Sequence, residues 1–289
     1  MEPARFTIRY DGYHASEHEL NMGQLGDSLR GLDRLTSTGL IALSEHRYPK
    51  RGERFGWQPR VMAPRENCVE IVAIFYPVAG LLPLAHEVLV TGMADLTWRW
   101  LSWAFLMKGG REKDAIPHFE KMIELVDKID GRNRDDMDKQ RQFCLDVLER
   151  VQPALRDAVK PVGPSCDQVS VIPGGRLQDA TVVELPMADA IRSSQKVEVG
   201  DMESMRILVD GFIGHNRQVK FEDPTEPGRY LTGHVRDPLI DDVPNLYSNA
   251  AGLRQYLDVQ AKPSYRDGRL HSIYIMDAKV SEPQEQGRA

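Results

Sequence analysis

From Phe6 to Tyr10, apolar and polar residues alternate with the period of a short strand, and Asp11-Gly12 supplies a turn behind it. Ser16 stands three residues before Glu19, the spacing of a capping box, and Leu25, Leu29, Leu32 and Leu35 follow at helical intervals. A helix is therefore expected from Ser16 to near Leu43. Gly31 and Gly39 each weaken it by about 1 kcal/mol relative to Ala. A basic, glycine-containing loop runs from Arg47 to Gly56. Beyond it, Trp57 to Met62 and Cys68 to Tyr76 read as strands joined by a turn around Pro64, the second apolar enough to lie centrally in a sheet.

Leu84 to Met107 is the most apolar stretch and predicts one long helix, entered after Pro83 and closed by Gly109-Gly110. His86, Glu87, Asp95 and Arg99 lie inside it. A charged group at mid-depth in a bilayer costs about 2.5–3.5 kcal/mol, so a membrane span is not expected. Trp98, Trp100, Trp103 and Met107 crowd onto this helix; core filling and a subunit or partner interface are both open readings, and the four residues are the interface candidates. Two amphipathic helices follow. Phe119, Met122, Ile123, Val126 and Ile129 form one stripe; Met137, Cys144, Val147, Leu148, Val151, Leu155 and Val159 form the other. Their short connection predicts an antiparallel hairpin, with a kink at Pro153.

Lys160-Pro161-Val162-Gly163-Pro164 breaks the helical pattern and is read as the domain boundary. Residues 161–194 are expected to form a linker with short strands at Val169 to Ile172 and Thr181 to Leu185, and one helical turn from Met187 to Ser193. Short alternating runs then recur at Lys196–Val199, Met205–Ile213, Gln218–Glu222, Tyr230–Val235, Gln255–Val259 and Leu270–Met276, with Gly, Pro, Asn and Asp between them. They predict a small barrel of the OB or SH3 kind over residues 195–280, followed by a disordered tail at 281–289. The fold class is thus α+β: a mixed α/β and helical domain at residues 1–160, then the barrel.

The chain has 289 residues, 41% hydrophobic and 28% charged, enough apolar material for a core. Its 37 Lys and Arg against 43 Asp and Glu give a net charge of −6, which excludes a globally cationic nucleic-acid binder and leaves room only for a local basic patch. Three scattered cysteines and a Met-Glu-Pro start without a basic and apolar leader point to a reducing, cytoplasmic setting.

His14-Ala15-Ser16-Glu17-His18 matches H-x-x-E-H, in which two histidines one helical turn apart bind zinc and the glutamate activates water. The expected helix start at Ser16 leaves His14 in a turn, so no metal site and no cofactor are expected. Neither Gly109-Gly110 nor Gly174-Gly175 continues into a phosphate loop. The cysteines lack a sequence-local activating base, and no catalytic residue is assigned. In the barrel segment, cations alternate with aromatics. Arg217, Lys220, Arg254, Tyr256 and Arg266 are the candidate residues for single-strand binding by stacking and phosphate contact, although many acidic residues offset them.

The order of pieces, including Cys68-Val69-Glu70-Ile71-Val72 in the opening strand unit, the tryptophan-bearing helix, the helical pair and the small barrel, resembles uncharacterised bacterial two-part proteins, some of them associated with prokaryotic defence loci. That resemblance implies a layout and an accessory role by association; it transfers no functional residue. The function expected from the sequence is a cytoplasmic, non-enzymatic interaction protein that oligomerises through its N-terminal domain and docks a protein partner through its barrel. A nucleic-acid-binding accessory protein and a metal-dependent hydrolase are the alternatives.

Overall fold

The computed structural model describes residues 5–50, 52–61, 69–77, 86–130, 137–242 and 244–281. The chain divides into two compact units, at Ser193 and Ser194. The first contains β1 (Arg5–Asp11), α1 (Met22–Glu45), β2 (Trp57–Val61), β3 (Val69–Pro77), α2 (His86–Lys108), α3 (Glu112–Asp130), α4 (Met137–Arg150), α5 (Gln152–Ala158), β4 (Gln168–Pro173), β5 (Thr181–Glu184) and α6 (Leu185–Arg192). Its strands form one antiparallel sheet in the order β2-β3-β1-β4-β5. Alternation along the strands sends Phe6, Ile8, Tyr10, Ile71, Val169, Val171 and Val183 into a core that they share with the helices.

Several expectations change here. The stretch 161–194 is no linker: β4 pairs with β1 along its whole length, β5 pairs with β4, and α6 buries Met187, Ala188 and Ile191. The Pro-Val-Gly-Pro sequence that suggested a boundary is a tight turn with Val162 and Cys166 fully enclosed. Arg192 holds that turn from α6 by donating to the carbonyls of Val159 at 2.6 Å and Val162 at 2.7 Å. The expected helix start at Ser16 is also corrected. Gly12, Tyr13 and His18 have φ of 81°, 48° and 63°, which confine Tyr13–Glu17 to one 3-10 turn. Helix α1 begins instead at Met22, where the Asn21 side chain accepts from the backbone of Gly23 and Gln24. Pro153 separates two helices rather than kinking one, since Pro is well tolerated in the first turn of α5. The α3 stripe packs on α2, with Phe119 against Trp103 at 5.7 Å, in place of a simple hairpin with α4.

The second unit contains β6 (Glu198–Val199), β7 (Glu203–Ile213), β8 (Gln218–Glu222), β9 (Tyr230–Val235), α7 (Leu246–Leu253), β10 (Tyr256–Arg266) and β11 (Arg269–Val280). Five strands close in the order β7-β8-β9-β11-β10 and back to β7, with β9 and β11 parallel and every other pair antiparallel. This Greek-key order, with a helix between the third and fourth strands, is that of an OB barrel and decides between the two kinds expected. The two-residue β6 lengthens the sheet beside β10. The C-terminal part is thus a small closed barrel, and α7 is an element that sequence periodicity did not show. The turn around Pro64 and the tail from residue 282 lie outside the described residues. No helix among the described residues is long and apolar enough to cross a membrane.

Candidate functional site

Alternation along the strands makes the barrel wall two-sided. Ile207, Val209, Val219, Phe221, Leu231, Leu257 and Val259 point inward to the core, so Leu208, Asp210, Lys220, Glu222, Tyr230, Tyr256 and Asp258 point out. The strand register lines up Tyr230, Glu222, Leu208 and Tyr256 as one row across β9, β8, β7 and β10. Both tyrosines stay open, at 40% and 52% exposure. Three inter-strand steps of about 4.8 Å separate them, roughly 14 Å across the wall.

Each tyrosine carries a cation. Lys220 Nζ lies 4.8 Å from the Tyr230 ring centroid, and an Arg254 guanidinium nitrogen reaches the Tyr230 hydroxyl at 3.4 Å. Arg206 lies over Tyr256 at 5.6 Å. Arg254 arrives because it ends α7 in the left-handed conformation, φ 48°, which turns the chain into β10. The cations are compensated. Asp210 sits 3.5 Å from both Lys220 and Arg254, and Asp258 3.3 Å from Arg206.

Of the five residues singled out for nucleic acid, Lys220, Arg254 and Tyr256 therefore meet on one face. Arg217 belongs to the end of a 3-10 turn, paired with Asp241 at 3.2 Å, and Arg266 lies at the opposite end of β10 from Tyr256. Sequence reasoning missed Arg206, Leu208, Asp210 and Asp258, which face the same side only because of cross-strand register. The i, i+2 spacing of Arg206, Leu208 and Asp210 on β7, and of Tyr256 and Asp258 on β10, was the available signal.

The tryptophans are corrected as an interface. Trp98, Trp100 and Trp103 are enclosed within one chain, and Trp100 Nε1 donates to the Leu35 carbonyl at 2.9 Å. The Trp100 and Trp103 rings pack at 5.4 Å. Met107 is half-buried and packs against the same core. These residues fill an interior, the other of the two readings open from the sequence.

His14, Glu17 and His18 are exposed around a 3-10 turn, with His18 in left-handed backbone, so the helix that H-x-x-E-H needs is not formed. No group of three His, Cys, Asp or Glu that could hold a metal occurs among the described residues. Cys144 and Cys166 are buried, and Cys166 is a free thiol. Burial, and then the neighbouring Asp167 and Asp11, push the Cys166 thiol up to about 12, the opposite of an activated thiolate. Cys68 lies outside the described residues. Two polar networks of the barrel serve packing. Tyr247 donates to Asp237 at 2.7 Å beneath α7, while Asp223 accepts from Arg229 at 3.0 Å and ties down the β8–β9 turn.

No curated protein and no solved structure matches this chain. Residues 201–279, nearly the whole barrel, match a family model described as "Family of unknown function (DUF7947)". Residues 6–192 match one described as "Domain of unknown function (DUF7946)", and that match ends where the first unit ends. Covering more than half of the chain, with β4, β5 and α6 inside it, this second match shows that the protein belongs to the DUF7946 family.

Proposed function

We propose that the protein is a non-enzymatic interaction protein whose barrel docks a protein partner on the outer face of β7, β8, β9 and β10. The observation that carries this reading is the pair of open tyrosines, Tyr230 and Tyr256, joined by Leu208 in one row and flanked by arginines. Tyr and Arg dominate binding hot spots because they bury large areas at low entropic cost and still make directed hydrogen bonds. Charge narrows the partner. Residues 194–289 hold 12 Lys and Arg against 15 Asp and Glu, and the cations beside the tyrosines already face carboxylates. A partner surface that is neutral or net positive complements this face, whereas a polyanion must displace those carboxylates.

Self-association through the tryptophan helix loses its motive, since those rings are inside one chain, and it is not part of the proposal. The free, buried Cys166 thiol supports a cytoplasmic setting. The layout resemblance supports an accessory role in a bacterial defence locus; loss of protection on deleting the gene there, restored by the wild type and not by a variant lacking both tyrosines, would sustain that extension.

The docking reading is tested with a photo-crosslinking residue in place of Leu208 in the full-length protein. The expected result is one discrete protein conjugate that disappears when Tyr230→Ala and Tyr256→Ala are added, while the purified protein keeps a protein-like absorbance ratio at 260 and 280 nm. A conjugate indifferent to both tyrosines, or co-purifying nucleic acid released by salt, would overturn it.

A further inference from the structure

Tyr230 stands between two cations, Lys220 over its ring and Arg254 at its hydroxyl. An exposed ring flanked by cations is how small barrels take a single strand: a base stacks on the ring and the cations track the adjacent phosphates. One side chain interrupts that arrangement. Asp210 is the extra residue of a bulge in β7, where the register with β8 shifts between Val209 and Gly211. A bulge re-aims its side chain. Here it places one carboxylate oxygen 3.5 Å from Arg254 and the other 3.5 Å from Lys220, so a single anion bridges both cations. Glu222, directly across the strands from Tyr230, adds a second negative charge.

All three charged partners remain partly open to solvent, and exposed ion pairs contribute little to folding. The bridge therefore has small structural value but a large effect on the local potential, where a phosphate would have to sit. We infer that Asp210 is a specificity-determining residue, which keeps single-stranded nucleic acid off the Tyr230 face and reserves that face for a protein partner. This is selection by a repulsive element rather than by added attraction. It rests on the reading of the face as a docking site, and it can fail while that reading stands.

The test uses the full-length protein and a fluorescent oligothymidylate of about 15 nucleotides, near the upper site size of one such barrel. Wild type should show no saturable binding at low salt. Asp210→Asn, equal in shape and one negative charge fewer, should bind saturably, at least tenfold tighter than the weakest affinity the titration of wild type can detect. Its affinity should fall with salt at a log–log slope of about −0.7 per phosphate contacted. Adding Tyr230→Ala should remove the gain. Asp267→Asn makes the same charge change in the turn after the far end of β10 and should gain nothing.

Tight binding by wild type, no gain in a folded Asp210→Asn variant, a gain that survives Tyr230→Ala, or an equal gain in Asp267→Asn would each overturn the inference. Circular dichroism melts report folding, and Asp210→Ser serves as the second replacement. Unfolding of both Asp210 variants would show a structural role instead and overturn it as well. Failure of the docking reading is seen separately, as a protein conjugate that ignores both tyrosines.

Discussion

In the first unit Trp100 and Trp103 have essentially no contact with solvent, whereas in the barrel Tyr230 and Tyr256 stand 40% and 52% exposed on the outer wall. The difference follows from the elements that carry them. Helix α2 is covered on several sides, by α1, α3, α6 and the strands β1 and β4, so its large rings have an interior to fill in nearly every direction. A five-stranded barrel has a narrow inside filled by Ile207, Val219, Phe221 and their neighbours, and the period of two sends every second residue out. Aromatic residues alike in sequence thus stabilise one unit and remain available for binding in the other.

The strongest way to break that comparison is Trp100→Ala. Loss of a fully enclosed ring and of its hydrogen bond to the Leu35 carbonyl should cost about 3–5 kcal/mol, read by urea unfolding. An unchanged midpoint with an altered solution mass would return Trp100 to an interface. Gly39→Ala probes the same contact from the other side. A Cβ there would lie 2.1 Å from Trp100 Nε1, and the resulting overpacking should cost about 1–3 kcal/mol. Combining it with Trp100→Phe should be less than additive, since the smaller ring vacates that space.

In the barrel, Tyr247→Phe leaves the buried Asp237 carboxylate without its hydroxyl donor and should destabilise by about 1–3 kcal/mol in thermal or urea melts. Wild-type stability would show that water replaces the hydroxyl. Tyr230→Ala and Tyr256→Ala should each shift stability by no more than about 0.5 kcal/mol while removing partner binding. A large loss of stability from either would make the open row a structural feature.

The smallest effect concerns pH. Burial first, and then the charge of Arg99, lower the His118 pKa below its ordinary 6.5 in the folded state. The folded protein binds this proton more weakly than the unfolded chain, so the contribution is complete above pH 6.5 and is lost as pH falls through the lowered value. The melting temperature should therefore fall as the pH drops below about 6.5, and the slope should flatten in His118→Asn. An unchanged slope would remove His118 as its source.

Much of the architecture was written in local patterns. The alternation at Gln218–Glu222 and Tyr230–Val235 matches β8 and β9 residue for residue, because side-chain direction in a strand is set by the backbone itself. The apolar run ending at Met107 became α2, and the acid–base composition already argued against a cationic surface. What local pattern could not decide was which segments meet. Lys160 to Pro164 has the composition of a boundary, yet Arg192 from α6 and the pairing of β4 with β1 draw it into the core of the first unit. Among the barrel's many cations, Lys220 and Arg254 lie 34 positions apart in sequence and are brought together by Asp210, itself aimed by a bulge. Periodicity reports the environment of one element at a time. Strand register, closure of the barrel and the burial of α2 arise from pairing between distant elements, and only the tertiary structure decided them.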